Sequence, residues 1–240
     1  MKKIKHFAGF LKRNPNFLAF FYFFKSKNIK PNTYDLTPIQ IKNLINFIPD
    51  AVIEAGAADG DDTRKISTVF KKAKIYGFEP VEELFNIAKY NTRKYKNIKL
   101  FQMAIGETDS SVNLYKSSRL TASSVYEPTE KQKNLYKELS FLKIQNIPQV
   151  NVDVFFHKNN LKFPDFAWFD LQGAEYSVLK SSPNLLSSLK AIYTEYSESN
   201  MYNNRSENII DFLQNNEFKV LWKSHVNRGF GNALLIKVRD

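Results

Sequence analysis

The stretch VIEAGAADGDDTRK, residues 52–65, joins a short apolar run to an acidic strand end and a glycine-containing turn. Its apolar start predicts a buried strand, Gly56 and Gly60 predict a tight turn, and the acids that follow are good helix N-caps. In open α/β sheets the first strand, turn and helix usually supply the ligand site beyond the carboxyl end of the strand. The stretch therefore predicts an α/β fold with a ligand site at this turn.

The turn lacks two phosphate-binding patterns, the G-x-G-x-x-G of dinucleotide-binding proteins and the G-K-[ST] of a P-loop. A phosphate at a helix N-terminus gains from free backbone N–H groups, but Asp59, Asp61 and Asp62 would repel it. These acids favour a positively charged ligand instead. S-adenosylmethionine carries a sulfonium and an ammonium group and no phosphate, so the residues indicate S-adenosylmethionine.

Short β-rich runs alternate with helix-like stretches through much of the chain. The predicted strands are 51–55, 74–78, 98–103, 166–171, 191–196, 218–222 and 233–238. The predicted helices are 38–47, 62–71, 81–95, 174–189 and 205–216. This alternation predicts a doubly wound, mostly parallel sheet with helices on both faces. The last two strands have no crossover helix between them and are expected to pair antiparallel.

Residues 104–165 interrupt the alternation. MAIGETDSSVNLYKSS (103–118) predicts a small hairpin, EPTEKQKNLYKEL (127–139) a polar helix and VNVDVFF (150–156) an extra strand. These elements are expected to decorate the sheet rather than to extend it.

Length and composition suit one globular domain: the chain has 240 residues, of which 43% are hydrophobic. We predict an N-terminal helical extension over 1–36 and a domain over 37–240 with an inserted segment at about 106–165. The chain has no cysteine, which excludes disulfides, thiolate metal sites and cysteine nucleophiles. A cytoplasmic location is compatible with that composition.

The N-terminal extension is basic, because residues 1–30 hold eight of the Lys and Arg residues and no acid. The rest of the chain has a net charge of only +3, out of +11 in total. The apolar stretch 16–24 is too short to span a membrane, but its Phe spacing predicts a helix. That helix can pack on the domain, pack on a second copy in a homodimer, or lie on an anionic inner membrane face.

Two further strand ends complete the expected ligand site. Glu79, followed by Pro80, ends the second strand, where a carboxylate can accept hydrogen bonds from two ribose hydroxyls. The alternative for Glu79 is an ordinary strand-end acid. Ala104 and Ile105 follow the third strand and can flank an adenine.

Taken in order, these stretches resemble the FkbM-type family of class I S-adenosylmethionine-dependent methyltransferases. The matching segments are EAGAADG, GFEP, MAIGE, SSVNLY, TASSV, VNVDVF, FDLQGAEYSVLKS, TEYSESNMY and GNALLIKV, over about residues 50–238. The resemblance implies a seven-stranded, Rossmann-like methyltransferase sheet and methyl transfer to a hydroxyl, usually of a sugar or a secondary metabolite. We therefore expect an O-methyltransferase that acts on a glycan or glycan precursor.

The expected cofactor site combines the strand-end residues with the acid of the fourth strand. Its members are Glu54, Gly56, Ala57, Asp59, Gly60, Glu79, Pro80, Ala104, Ile105 and Asp170. Three positions depart from the family pattern. Ala58 stands where asparagine is common, Glu54 where aspartate is more frequent, and Trp168 where a lysine often precedes the strand-four acid.

Methyl transfer to a hydroxyl needs an aligned acceptor and a base. Asp170, which ends the fourth strand, is the leading candidate. Glu195, at the end of the fifth strand, is the second candidate, and Glu175, five residues after Asp170, is the third. The alternatives are structural: Asp170 can tie down its loop, and Glu175 can be a helix-start acid that the helix dipole stabilises.

The expected acceptor-binding residues are Ser124, Gln172, Tyr202, His225 and Asn232. Tyr202 and Asn232 match family positions that face the acceptor, and Ser124 lies in the inserted segment, where a lid would be. No group of His, Asp and Glu residues has a metal-binding spacing, so no metal is predicted. A divalent ion shared by Asp170 and another strand-end acid is the alternative.

Four other functions have to be compared with this expectation. Nucleic-acid methylation is disfavoured because the chain has no N-P-P-[YF] loop, no cysteine nucleophile and a nearly neutral body. Methylation of another small metabolite and a non-catalytic S-adenosylmethionine-binding module remain alternatives. A dinucleotide oxidoreductase would place a pyrophosphate beside three aspartates.

Overall fold

The computed structural model describes residues 35–45, 47–197, 208–224 and 230–238. Within these residues the strands are β1 (Ala51–Ala55), β2 (Lys74–Phe78), β3 (Ile98–Phe101), β4 (Ala104–Gly106), β5 (Ser110–Ser117), β6 (Phe141–Asn151), β7 (Phe166–Phe169), β8 (Ala191–Ser197), β9 (Phe218–Lys223) and β10 (Phe230–Lys237). The helices are α1 (Pro38–Leu44), α2 (Asp61–Val69), α3 (Glu82–Thr92), α4 (Glu130–Leu135), α5 (Val152–Lys158), α6 (Glu175–Ser181), α7 (Pro183–Ser188) and α8 (Ile209–Asn215). The predicted helix of the N-terminal extension lies outside the described residues.

Seven strands form one sheet in the order β3-β2-β1-β7-β8-β10-β9. Its neighbours from β3 to β8 pair in parallel, whereas β10 runs antiparallel to both β8 and β9. The predicted fold class is therefore confirmed, including the antiparallel pairing of the last two strands. The order reverses at β1 and β7, which is where a sheet of this kind leaves a crevice for a ligand.

The central strands β1 and β7 are buried on both faces, and their successive residues belong to two separate hydrophobic clusters. Ile53 and Phe169 belong to one hydrophobic cluster, whereas Val52 and Trp168 belong to the other. Burial of each large apolar side chain contributes about 1.5–3 kcal/mol. Packing on both faces of the sheet therefore stabilises the register of these strands.

The segment between β3 and β7 forms a second sheet in the order β4-β6-β5. The predicted hairpin is wrong, because β4 and β5 do not pair with each other. The eleven-residue β6 lies between them, parallel to β4 and antiparallel to β5. The hairpin was predicted from local sequence, but the pairing is determined by β6, which is distant in sequence from both β4 and β5.

The predicted strand at 150–156 is also wrong, since β6 ends at Asn151 and a helix begins. The Asn151 side chain caps α5 by accepting a hydrogen bond from Val154 N, and it also donates to Glu107 O and Ser181 O. Val152, Phe155 and Phe156 are buried, at the i, i+3, i+4 spacing of a helix. Their β-branched and aromatic character had favoured a strand.

The helix boundaries follow from caps and prolines. Thr37 caps α1 in a capping box with Gln40, as its position before Pro38 predicts, although α1 ends at Leu44 rather than at 47. The predicted helix 174–189 is divided, because Pro183 lacks an N–H group and holds Ser182 out of the helical region. Among the described residues, none of the helices is both long enough and apolar enough to cross a membrane.

Candidate active site

A cavity of about 380 Å³ lies at the carboxyl ends of β1, β2 and β7. Nine of the ten predicted cofactor residues line it: Glu54, Gly56, Ala57, Asp59, Glu79, Pro80, Ala104, Ile105 and Asp170. Gly60 does not line the cavity. It precedes α2 with a φ of +76°, and a Cβ atom there would lie 2.9 Å from Ala88 Cα, so Gly60 serves the close packing of α2 on α3.

The turn after β1 is held against both neighbouring strands. Gly56 has a φ of +87°, and a Cβ atom on it would lie 2.0 Å from the carbonyl oxygen of Asp170. The N–H groups of Gly56 and Ala57 both donate to the carbonyl oxygen of Phe78 at the end of β2. Only glycine fits at this position, because the loop after β7 touches the backbone there.

Glu79 positions the same turn from the other side. One carboxylate oxygen accepts a hydrogen bond from Ala58 N at 2.8 Å, and the other accepts one from Val81 N at 2.8 Å. Each oxygen keeps a second lone pair, so Glu79 can also accept from the hydroxyls of a ribose in the cavity. Burial raises the pKa of Glu79 to about 7, although the two backbone hydrogen bonds lower it.

The acids at the start of α2 are less free than the sequence argument assumed. Asp61 pairs with Arg64 and with Lys65, the latter at 2.9 Å, and Asp62 pairs with Lys65 at 2.6 Å. Their charges are therefore largely balanced. The preference for a cationic ligand depends instead on acids of the cavity that have no such partner, above all Glu54.

Glu54 is 1% exposed, and its Oε2 atom has no hydrogen-bond partner in the described part of the chain. Burial raises its pKa well above the usual range, and the neighbouring Thr63 offsets only part of that effect. An unpaired buried carboxylate is costly unless a ligand supplies a positive charge or donors. Glu54 therefore fits the cationic end of S-adenosylmethionine better than a phosphate.

The opposite wall of the cavity is apolar, and the sequence argument found only part of it. Ala104 and Ile105 were predicted, whereas Leu84, Leu114 and Leu120 were not. These three come from α3, β5 and the 3₁₀ helix Leu120–Ala122, and they pack around Val81. Such a wall suits a flat, weakly polar base such as adenine. The sequence analysis missed this wall because it predicted a hairpin of β4 and β5 instead of the three-stranded sheet.

A cluster of carboxyl groups lies where β7 and β8 end. Gln172 has a φ of +52°, and its Nε2 atom donates to Asp170 at 2.6 Å and to Glu195 at 3.2 Å. Solvent reaches Asp170 through the cavity, but protein surrounds it elsewhere and raises its pKa to about 6. Gln172 partly offsets that rise. Burial also raises the pKa of Glu195, and Asp170 raises it further.

Glu175 holds the loop rather than facing the cavity. Its two carboxylate oxygens accept from Leu171 N at 2.7 Å and from Gly173 N at 3.1 Å, and the residue is 6% exposed. Burial raises its pKa to about 7. The structural alternative for Glu175, an acid at the start of α6, is the one that this geometry favours.

One oxygen each of Asp170, Glu175 and Glu195 lie within 4.8 Å of one another, a spacing that a metal ion could bridge. Glu175, however, already accepts two backbone hydrogen bonds, and acidic clusters are common without an ion. The prediction that no metal takes part stays a prediction.

A second cavity of about 290 Å³ adjoins the first. The two share four lining residues: Asp62, Lys65, Trp168 and Asp170. The second cavity is further lined by Asp35, Leu36, Thr37, Pro38, Phe169, Tyr193, Glu195 and Asn232. Asp170 thus lies between the two cavities, and the second is large enough for one small ring.

The predicted acceptor-binding residues separate into three groups. Asn232 lines the second cavity, together with the candidate base Glu195. Ser124 and Gln172 line the first, where the Ser124 hydroxyl donates to Gln172 O at 2.9 Å and so ties the second sheet to the β7 loop. Tyr202 and His225 lie outside the described residues.

Sequence reasoning missed Asp35 and Tyr193. Asp35 precedes α1 and accepts hydrogen bonds from Asn232 Nδ2 at 2.6 Å and from Tyr193 OH at 3.3 Å. Tyr193 could have been found, since strand alternation places it on the same side of β8 as Glu195. No local signal identified Asp35, because its partners lie more than 150 residues away.

The sequence is similar to a known family model and to a named protein. Residues 54–220 match the family model described as Methyltransferase FkbM domain. The 2-O-methyltransferase NoeI of Sinorhizobium fredii (strain NBRC 101917 / NGR234) is 24% identical over 169 residues, which cover 68% of this chain and 70% of that protein.

One solved structure shows the same fold at low sequence identity, and a second aligns with a lower score. The structure of a candidate rRNA methylase from Clostridium thermocellum aligns with a TM-score of 0.52 and 12% identity, covering 89% of this chain and 99% of that one. Precorrin-6y C5,15-methyltransferase from Geobacter metallireducens GS-15 aligns with a TM-score of 0.49 and 10% identity, covering 88% and 92%. At such identities the likeness concerns the fold alone.

Proposed function

The chain belongs to the FkbM methyltransferase family, and we propose that it transfers a methyl group to a hydroxyl group of a sugar, in a glycan or a glycan precursor. S-adenosylmethionine is its cofactor and methyl donor. The name of the relative NoeI, a 2-O-methyltransferase, supports oxygen as the accepting atom. That the hydroxyl belongs to a sugar is the more specific part of this proposal.

One observation carries the proposal: Asp170 borders both cavities. A base for a methyl acceptor must reach the donor and the acceptor at once, and Asp170 is a carboxylate in that position. The cofactor residues surround the first cavity, so the second is the space left for the acceptor.

Each side of the first cavity fits a different part of S-adenosylmethionine. Glu54 and Asp170 would lie at its positively charged end, Glu79 at the ribose, and the wall of Ala104, Ile105 and Leu84 at the adenine. When bound, the cofactor supplies an electrophilic methyl group. The chain itself holds the parts in place through the hydrogen bonds of the β1 turn.

The residues of the second cavity would orient the acceptor and take its proton. Alignment of a hydroxyl with the reacting centre, at roughly 3–3.5 Å, supplies much of the rate enhancement in such transfers. Asp170 would accept the hydroxyl proton, and Gln172 holds its carboxylate by a 2.6 Å hydrogen bond. With a pKa of about 6, Asp170 is largely ionised at neutral pH and still more basic than an ordinary aspartate.

The proposal is tested by supplying S-adenosylmethionine with an isotope-labelled methyl group to extracts from cells with and without the gene. We expect label in the carbohydrate fraction, in products one methylene heavier than their precursors, only when the protein is present. Label confined to RNA or to non-carbohydrate metabolites would contradict the sugar as acceptor. Calorimetry with S-adenosylmethionine and S-adenosylhomocysteine tests the alternative of a non-catalytic module, which would bind without any labelled product.

A further inference from the structure

We propose that the second cavity accepts a sugar that is uncharged or carries an amino group, and rejects one with a phosphate or carboxylate beside the methylated hydroxyl. This inference rests on the proposed function, because it names the class of acceptor that the same site takes. It excludes nucleotide sugars whose diphosphate would have to enter the cavity, and uronic acids.

The first argument is the balance of charge around the cavity. Four carboxyl side chains line it, those of Asp35, Asp62, Asp170 and Glu195. Lys65 is the only cation among the described lining residues, and it already pairs with Asp61 and Asp62 at 2.9 and 2.6 Å. An anionic group would therefore enter beside several carboxyl groups without a free positive partner.

The second argument is the hydrogen bonding that the cavity offers. Asp35 accepts from Tyr193 and Asn232 through the same oxygen, Oδ1, and the other has no partner in the described part of the chain. Within the described residues, the Glu195 side chain accepts a hydrogen bond from Gln172 at Oε2 and none at Oε1. The remaining carboxylate oxygens are acceptors, which suit donating hydroxyl or ammonium groups.

Asp35 is exposed to solvent, but hydrogen bonds hold its side chain in place. The backbone N–H group of Leu36 donates to Tyr193 OH at 3.0 Å, and Leu36 itself is buried. Thr37 then caps α1. The segment that precedes α1 is thus a built wall of the cavity, and Asp35 keeps its carboxylate within it.

Aromatic side chains form another wall. The rings of Trp168 and Tyr193 pack with their centroids 4.5 Å apart, and both residues line the cavity. Rings of this kind suit the C–H face of a sugar.

Burial raises the pKa of Asp35 and of Glu195. Entry of an anion would raise both further, whereas an ammonium group would reverse the shift. Protonation of either group would lessen the repulsion of an anion, so the selection against anionic sugars should be strongest at a pH high enough to ionise both carboxyl groups.

Binding to the full chain tests the proposal without turnover. Four methyl glycosides that share the glucose ring are titrated in the presence of S-adenosylhomocysteine and followed by saturation-transfer NMR: the neutral glucoside, the 2-amino-2-deoxy glucoside, the glucuronide and the glucoside 6-phosphate. We expect the two anionic glycosides to bind at least about tenfold more weakly than the neutral one at low salt. The amino glycoside should bind at least as tightly as the neutral one.

Asp35→Asn is the diagnostic variant, because the amide keeps the shape of the side chain and removes its charge. It should reduce the discrimination against the glucuronide at least about threefold. Asp211→Asn, an exposed position on α8, makes the same charge change away from both cavities and should leave the discrimination unchanged. Thermal unfolding verifies that both variants are folded.

The outcomes separate the two proposals. Anionic glycosides that bind as well as the neutral one, or no binding by any of the four, would overturn the charge selection. Labelled-methyl transfer to the neutral glycoside is measured in parallel. Selective binding without any transfer would support the charge selection and count against sugar O-methylation.

Discussion

At the scale of single residues, Asp170 lines both cavities and is the proposed base. Replacing Asp170 with Asn keeps an oxygen that can accept the Gln172 hydrogen bond but removes the base. We expect kcat to fall at least about a hundredfold, while the affinity for S-adenosylhomocysteine, which lacks the sulfonium charge, should change by no more than about threefold. Single-turnover methyl transfer and calorimetry on the same preparation measure the two quantities.

Asp211→Asn serves as the matched control for this variant, since it removes one exposed carboxylate that lines neither cavity. Its kcat should equal that of the unaltered chain. If Asp170→Asn turns over within a few-fold of the unaltered chain, Asp170 is not the base, and Glu195 becomes the favoured candidate.

The residues at strand ends could be predicted from sequence because their chemistry is local. Glu54, Glu79 and Asp170 each follow a short apolar run, and in a parallel sheet such runs end at a common edge. Asp35 could not be predicted in this way. Its hydrogen bonds to Tyr193 and Asn232 exist only because the chain folds back over β8 and β10.

At the scale of elements, the contact between the β1 turn and the β7 loop is the most restrictive feature of the cofactor site. Gly56→Ala would place a methyl group about where the carbonyl oxygen of Asp170 lies, at a φ that alanine rarely adopts. We expect a loss of at least about 2 kcal/mol in the free energy of unfolding, together with loss of cofactor binding, because both loops must move. Chemical denaturation and calorimetry measure these effects.

Ala58→Gly is the companion variant in the same turn. Ala58 has a φ of +48°, which glycine adopts without strain, so the relief of strain should offset the greater flexibility of the unfolded chain. Its stability should stay within about 1 kcal/mol of the unaltered chain. A Gly56→Ala variant as stable as Ala58→Gly would show that the two loops do not depend on this close approach.

Predictability of the elements depended on how local their determinants are. β1 and β2 were placed residue for residue, since a hydrophobic run between turn signals suffices for a buried parallel strand. α5 was mistaken for a strand because Val and Phe favour strands, and the Asn151 cap that begins the helix was not weighed. The pairing of β6 with both β4 and β5 depends on tertiary contacts that no local pattern encodes.

At the scale of the whole molecule, the sheet order brings acids from four strand ends to one edge. Burial raises the pKa of Glu54, Glu79, Asp170, Glu175 and Glu195. The fold class could be predicted from the alternation of strands and helices. The raised pKa values of these acids could not be predicted, because they depend on which strands become neighbours and how deeply the strand ends are buried.

These raised pKa values have a consequence for stability. An unfolded chain releases the protons of its carboxyl groups at about pH 4, whereas the folded chain keeps several of them up to about pH 7. The folded state therefore binds more protons between these values, and the contribution of these acids to stability falls as the pH rises through that window. The melting temperature of the unliganded chain should decrease accordingly from about pH 5 to about pH 8.

Binding of S-adenosylmethionine should strengthen as the pH rises, whereas binding of S-adenosylhomocysteine should change less. A sulfonium lowers the pKa values of nearby acids, so S-adenosylmethionine binding releases protons and strengthens with rising pH, by up to about tenfold per pH unit for each proton released. S-adenosylhomocysteine lacks the sulfonium charge and should show a weaker dependence. Calorimetry of both ligands at pH 5.5, 6.5 and 7.5 in buffers of different ionisation enthalpy measures the affinities and the protons released. Parallel pH dependences for the two ligands would mean that the acids of the first cavity do not face the sulfonium, and the assignment of Glu54 and Asp170 to that end of the cofactor would have to be abandoned.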